Sequence, residues 1–168
     1  MLLQFNITNV LSFKDEAILD LTASSDSSHE ANLIKNKGLR VLPTLAVYGA
    51  NAAGKSNLFK ALTAAILFVR NSNTMQINSR NGLIPFLLDK TSRNEPARID
   101  FVFSRNDIKY EYGFVADSEK VYEEYLYTYK SAKASLIFER SETNKYRYTA
   151  SLKNKMRQYE SKNADNKL

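Results

Sequence analysis

The 168-residue chain is 43% hydrophobic and 11% aromatic, enough apolar material for one globular core at about the usual length of one domain. It has no cysteine and a single histidine, which excludes a disulfide framework, a thiolate metal site and a histidine cluster. No run approaches the roughly 18 apolar residues that span a bilayer, and the N-terminus lacks the pattern of a secretory signal, so a cytoplasmic chain with no membrane partner is expected.

Residues 2–10 and 17–21 alternate apolar and polar positions and predict an opening hairpin, turning at Ser12, Phe13, Lys14, Asp15 and Glu16. Residues 24–37 are polar and serine-rich, which predicts a surface loop with His29 as a solvated side chain. The apolar run 41–48 predicts a buried strand whose start tolerates Pro43. A helix is predicted over 56–70. Leu58, Leu62, Ala65 and Val69 mark one apolar face, and Phe59 and Ile66 a second, so burial on two sides is expected, as in a layered α/β fold. Residues 83–89 read as a strand leading out of the helical part. Residues 99–103, the turn at Arg105, Asn106 and Asp107, and the series Ile108, Tyr110, Tyr112 and Phe114 then begin strand alternation. Residues 121–129, 136–140 and 146–149 continue it, making an antiparallel meander over 85–149 within a lobe spanning 1–150.

Residues 151–168 form a polar, basic tail, expected to be a solvated helix or disordered. The net charge of +6 originates near this end. Through Thr128, 14 basic and 14 acidic residues cancel, whereas from Tyr129 onward 10 basic residues face 4 acidic ones. A nucleic-acid-binding module is therefore one reading, with the tail tracking phosphates and Tyr122, Tyr125, Tyr127, Tyr129, Tyr146 and Tyr148 stacking bases. Tyrosines also suit strands, and a charged terminus is more often a solvated face.

The sharpest signal is the stretch Gly49, Ala50, Asn51, Ala52, Ala53, Gly54, Lys55, Ser56, a full match to GxxxxGK[ST] between a predicted strand and a predicted helix. Chance would produce such a match in a chain this long at roughly the half-percent level. Gly49 and Gly54 permit backbone angles that turn successive N–H groups inward around a phosphate. The alanines keep the loop slim. The helix N-terminus adds unpaired N–H groups and about half a positive charge. Lys55 would bridge the β- and γ-phosphates as the catalytic residue, and Ser56 would give Mg²⁺ a hard oxygen ligand. ATP and Mg²⁺ are the cofactors implied. A small GTPase or nucleotide kinase shares this motif. However, the chain lacks a downstream Asp-x-x-Gly or Asn-Lys-x-Asp motif, and the meander is a poor source of a kinase lid.

The segments LLQFNITNVLSFKDEAILD at 2–20 and YGANAAGKSNLFKAL at 48–62 resemble the N-terminal lobe of ABC-type ATPases, a group that includes the structural-maintenance-of-chromosomes and RecF proteins. They are most similar to the AAA-family ATPases of abortive-infection and related phage-defence systems. Asn51, Asn57 and the Ser12-Phe13 pair are typical of that branch, and YEYGF at 110–114 and LIFER at 136–140 resemble its antiparallel β region. The resemblance implies a P-loop NTPase α/β fold with a central P-loop strand and helix, and extends the nucleotide-binding set to Asn57. It also implies a composite site closed by a partner subunit, ATP-dependent self-association, and an effector or toxin as partner. Two features depart from the pattern. Leu11 stands where the family often has an arginine, and the chain shows no aliphatic strand ending in Asp-Glu, no Leu-Ser-Gly-Gly-like signature and no later switch histidine. The sequence is thus expected to end inside the family's domain and to bind ATP without hydrolysing it efficiently alone.

Overall fold

A computed structural model describes residues 1–76, 79–160, 165 and 167–168. The opening hairpin forms from β1 (Leu2–Thr8) and β2 (Ala17–Asp20). A small separate hairpin follows, β3 (Ile34–Asn36) with β4 (Leu39–Val41), of which β3 falls within the stretch 24–37 expected to be loop. His29 is exposed within that stretch. Helix α1 (Lys55–Asn71) follows, then five strands: β5 (Ala97–Arg105), β6 (Ile108–Ala116), β7 (Val121–Tyr129), β8 (Ser135–Ser141) and β9 (Lys145–Tyr148). Helix α2 (Ala150–Glu160) begins the basic tail.

The main sheet has seven strands in the order β2-β1-β5-β6-β7-β8-β9, and every neighbouring pair is antiparallel. Local sequence explains the turn between β5 and β6. Asn106 and Asp107 sit at φ 49° and 62°, the left-handed pair a two-residue hairpin requires and these residue types tolerate. In the turn joining β6 to β7, the Asp117 carboxylate accepts bonds from the Tyr122 hydroxyl at 2.6 Å and from the amides of Glu119 and Lys120 at 2.8 Å each. Partial burial raises the pKa of this carboxyl, but these bonds outweigh it and hold the net value below the ordinary 3.8. The Tyr122 phenol is pushed up to about 12 by the same contact.

A depressed carboxylate pKa stabilises the fold above the unfolded value, and that stabilisation is lost as pH falls through the folded value. Asp117→Asn should therefore flatten the acid limb of stability, read as urea midpoints between about pH 5 and pH 2.

Helix α1 lies on one face of the sheet. Ala61, Ala65 and Phe68 are buried against Phe5, Ile7, Ile99 and Phe114, with Phe68 and Phe114 edge to face at 5.5 Å. The two alanines let the helix axis approach the strands closely, and each fully buried large apolar side chain contributes about 1.5–3 kcal/mol. The expected second buried face does not form, since Phe59 and Ile66 are exposed, and Val69, expected on the first face, is exposed as well. Among the described residues the helix has one layer to pack against rather than two. On the opposite face of the sheet, Leu3 and Val102 pack with Val41 of the small hairpin.

Two expected strands are absent. Of residues 41–48 only Val41 is in a strand; the remainder is irregular, although Leu45 and Val47 are half-buried and Ala46 and Tyr48 exposed. The alternation that suggested a strand is thus present, but among the described residues no strand lies alongside to pair with it. Residues 83–89 are likewise irregular. Pro85 lacks an N–H, Leu83 N donates to the Asn81 side chain, and Phe86 N donates to Asn9 Oδ1. The meander therefore starts at Ala97 rather than at residue 85. Among the described residues the fold is α/β in composition, with an antiparallel main sheet and two α-helices.

Candidate functional site

Residues 49–54 turn sharply ahead of α1. Ala53 N donates to Ala50 O at 3.3 Å, Ala52 has φ 63° and Gly54 φ 91°. Only glycine adopts the Gly54 angle without strain, and it is the residue preceding the first helical one. The amides of Asn57 and Leu58 both bond to Gly54 O, at 2.9 and 3.0 Å, which closes the first helical turn. The loop is curled, open to solvent and continuous with the helix start.

A cavity of about 300 Å³ lies at this point, lined by Ser12, Ala52, Ala53, Gly54, Lys55, Ser56 and Asn57. Six of the nine residues expected to bind nucleotide thus line one space. Gly49, Ala50 and Asn51 do not line it and are exposed. Among the described residues, the amides of Asn51, Ala52, Gly54, Lys55 and Ser56 have no acceptor within the protein. Consecutive donors without acceptors at a helix N-terminus form a positive concavity, reinforced by the helix dipole. The Lys55 ammonium donates to Gly49 O and Ala50 O, at 2.7 and 2.6 Å, so it is held at the loop rather than extended into solvent. The Ser56 hydroxyl is exposed beside it.

The hairpin tip between β1 and β2 forms the other wall. Asn57 Nδ2 donates to Ser12 Oγ at 2.5 Å, and a Cβ added at Gly54 would meet Ser12 Cβ at 3.3 Å and the Phe13 ring at 3.6 Å. The tip is fixed by Asn9, which sequence reasoning did not single out. Asn9 is buried at φ 56° and its Nδ2 donates to the carbonyls of Ser92 and Glu95 at 2.8 Å each, while Oδ1 accepts from Phe86 N at 3.0 Å. Leu11, also left-handed at φ 51°, donates its amide to Ile84 O at 2.9 Å. No periodic pattern marks Asn9; the available signal was a residue type that tolerates left-handed angles next to a predicted turn.

Other features fit a phosphate poorly. A larger groove of about 650 Å³ between α1 and the sheet is walled mainly by apolar side chains such as Leu62, Ile66, Phe101, Phe103 and Phe138. The tyrosines proposed for base stacking are distributed over both sheet faces. Tyr125 faces Glu139 and Arg147 across the strands, whereas Tyr148 aligns with Phe138 and Leu126 on the other side. Several of their hydroxyls serve internal bonds, Tyr129 to Glu111 and Tyr125 to Asp100. Of the excess basic residues, Arg140 is fully buried and donates to the carbonyls of Thr143 and Lys167. Among the described residues no group of three or more His, Cys, Asp or Glu side chains could hold a metal, and no helix is long and apolar enough to cross a membrane.

A family model described as "AAA domain, putative AbiEii toxin, Type IV TA system" matches residues 45–151, more than half of the chain. The matched span takes in the curled loop, α1 and the meander through β9, and begins after the opening hairpin. A comparison with curated proteins gave no match.

Proposed function

Because the chain belongs to this AAA-domain family, we propose that the loop at 49–56 binds ATP with Mg²⁺ and that the chain is the nucleotide-binding lobe of an abortive-infection-type ATPase. The observation that carries this reading is the set of loop amides without acceptors, those of Asn51, Ala52, Gly54, Lys55 and Ser56, around a cavity edged by an ammonium and a hydroxyl. The donor set fits a polyphosphate: consecutive N–H groups for phosphate oxygens, Lys55 for the charge between two phosphates, and Ser56 as a hard oxygen ligand for Mg²⁺. Bound Mg²⁺ would neutralise phosphate charge. The work of the chain itself is to orient the triphosphate and, on binding, to release the Lys55 ammonium from the loop carbonyls it now holds.

Efficient turnover needs a positioned water and charge stabilisation in addition to binding. The cavity lining includes no carboxylate to serve as a base. The chain is therefore a cradle whose hydrolysis waits on further groups, in line with a composite site, ATP-dependent self-association and coupling to an effector or toxin. Thermal unfolding with MgATP at one hundred times the dissociation constant should show about 2.7 kcal/mol of added stability, abolished by Lys55→Ala. Phosphate release by the wild-type chain should stay near background. An unchanged melting curve in MgATP, or equal shifts for wild type and Lys55→Ala, would refute the assignment.

A further inference from the structure

The cavity at the curled loop has one lining residue from outside the stretch 52–57, and that residue is Ser12. Its hydroxyl accepts a hydrogen bond from Asn57 Nδ2 at 2.5 Å, so its own proton is left to donate elsewhere. Ser12 is exposed, and its side chain lies against Gly54, where a Cβ would come within 3.3 Å. Left-handed residues flank the tip on its N-terminal side at Asn9 and Leu11, both tied to distant backbone through their amides or side chain. Strained backbone persists only where surrounding contacts over-determine it, and here those contacts aim one hydroxyl at the phosphate cavity.

We infer that Ser12, positioned by Asn57, is a specificity-determining residue that donates a hydrogen bond to the terminal phosphate and so distinguishes nucleoside triphosphate from diphosphate. This deepens the nucleotide reading above and rests on it. The loop amides would hold a phosphate from one side of the cavity, and the Ser12 hydroxyl, on the hairpin tip that forms the other wall, would be the donor left for a phosphate lying beyond them. Leu11, directly before it, offers no charge, so a neutral donor is what this wall presents.

The test is calorimetric titration of the full chain with MgATP and MgADP. Ser12→Ala should weaken ATP binding about tenfold, the usual value of one hydrogen bond to a charged acceptor, while leaving ADP binding unchanged. Ser12→Thr keeps the hydroxyl and should restore the ATP to ADP preference. Asn57→Ala should reduce that preference by a smaller factor. Equal weakening of ATP and ADP by Ser12→Ala would place the contact at a shared phosphate and overturn the inference. A lowered melting temperature with an unchanged affinity ratio would make Ser12 merely structural and overturn it as well. If neither nucleotide binds the wild-type chain, the nucleotide reading falls and takes this inference with it; if both bind and only Lys55→Ala matters, the inference alone fails.

Discussion

Gly113→Ala should destabilise the protein by about 3–5 kcal/mol, lowering the melting temperature by roughly 10–15 °C for a chain of this size. Gly113 stands in the middle of β6, directly opposite Asp100 on β5 and Tyr125 on β7. A glycine inside a strand normally weakens it, so its presence marks a close approach. Here the Tyr125 ring reaches back over the glycine to bond Asp100, and an added Cβ would overlap the Asp100 carboxylate and the Tyr125 hydroxyl. Neither group can retreat cheaply. Both are buried, and Arg98 holds them from above, donating to Tyr125 Oη at 2.8 Å and to Asp100 Oδ2 at 3.1 Å. Burial first, and then the neighbouring carboxylate, push the Tyr125 phenol well above its ordinary value, so it remains a neutral donor.

The cost combines overpacking, about 1–3 kcal/mol, with one or two buried polar groups losing partners at about 1–3 kcal/mol each. Urea unfolding monitored by tyrosine fluorescence measures it. A loss below about 1 kcal/mol would mean that the ring is not held over the backbone. The companion variant Gly113→Ala with Tyr125→Ala removes the obstruction, and its coupling energy should recover part of the loss.

The legible parts of this molecule are those whose pattern is satisfied by near neighbours in the chain. Ile108, Tyr110, Tyr112 and Phe114 alternate because β6 pairs on both sides with strands adjacent in sequence, and Asn106-Asp107 marks its turn by residue type alone. The α1 boundary was legible because Gly54 takes an angle other residues avoid. By contrast, residues 41–48 alternate correctly for a strand, but a strand also needs partners, and the seven-stranded sheet closes on β1 and β5 without them. The second apolar face of α1 went unburied for the same reason. Arg140 counts toward the basic excess beyond Thr128 by position, although cross-strand packing buries it completely.

The site divides in the same way. The loop from Gly49 to Ser56 is contiguous and its glycine and lysine spacing matches a known loop pattern, so it can be read directly. Its far wall cannot. Ser12 and Asn57 are 45 residues apart, and only the β1–β2 hairpin, folded over the start of α1, brings them to hydrogen-bond distance. Its tip is tied to residues 84–95 by the buried Asn9 side chain and by the Leu11 amide, contacts that no sequence period reports.

Asn9→Ala should therefore have the second large effect, again about 3–5 kcal/mol, and should reach the site as well as the fold. The side chain serves three backbone groups at once: the carbonyls of Ser92 and Glu95 and the amide of Phe86. Alanine leaves them without partners in a region where Asn9 itself is 5% exposed, at about 1–3 kcal/mol for each group that water cannot reach. Alanine at φ 56° adds about 1–2 kcal/mol of left-handed strain, which asparagine tolerates better. Asn9→Gly separates the two contributions, since it lacks the same hydrogen bonds but removes the strain, and it should be about 1 kcal/mol more stable than Asn9→Ala. Equal stabilities for the two variants would show that the backbone angle relaxes and that strain plays no part. In both variants the hairpin tip loses its anchor to residues 86–95 and Ser12 is no longer aimed across the cavity. The ATP to ADP preference should then fall to the level of Ser12→Ala while Lys55 continues to support binding of both nucleotides. A variant that is destabilised yet keeps full preference would show that the Ser12–Asn57 bond and the Gly54 contact position the tip without help from Asn9.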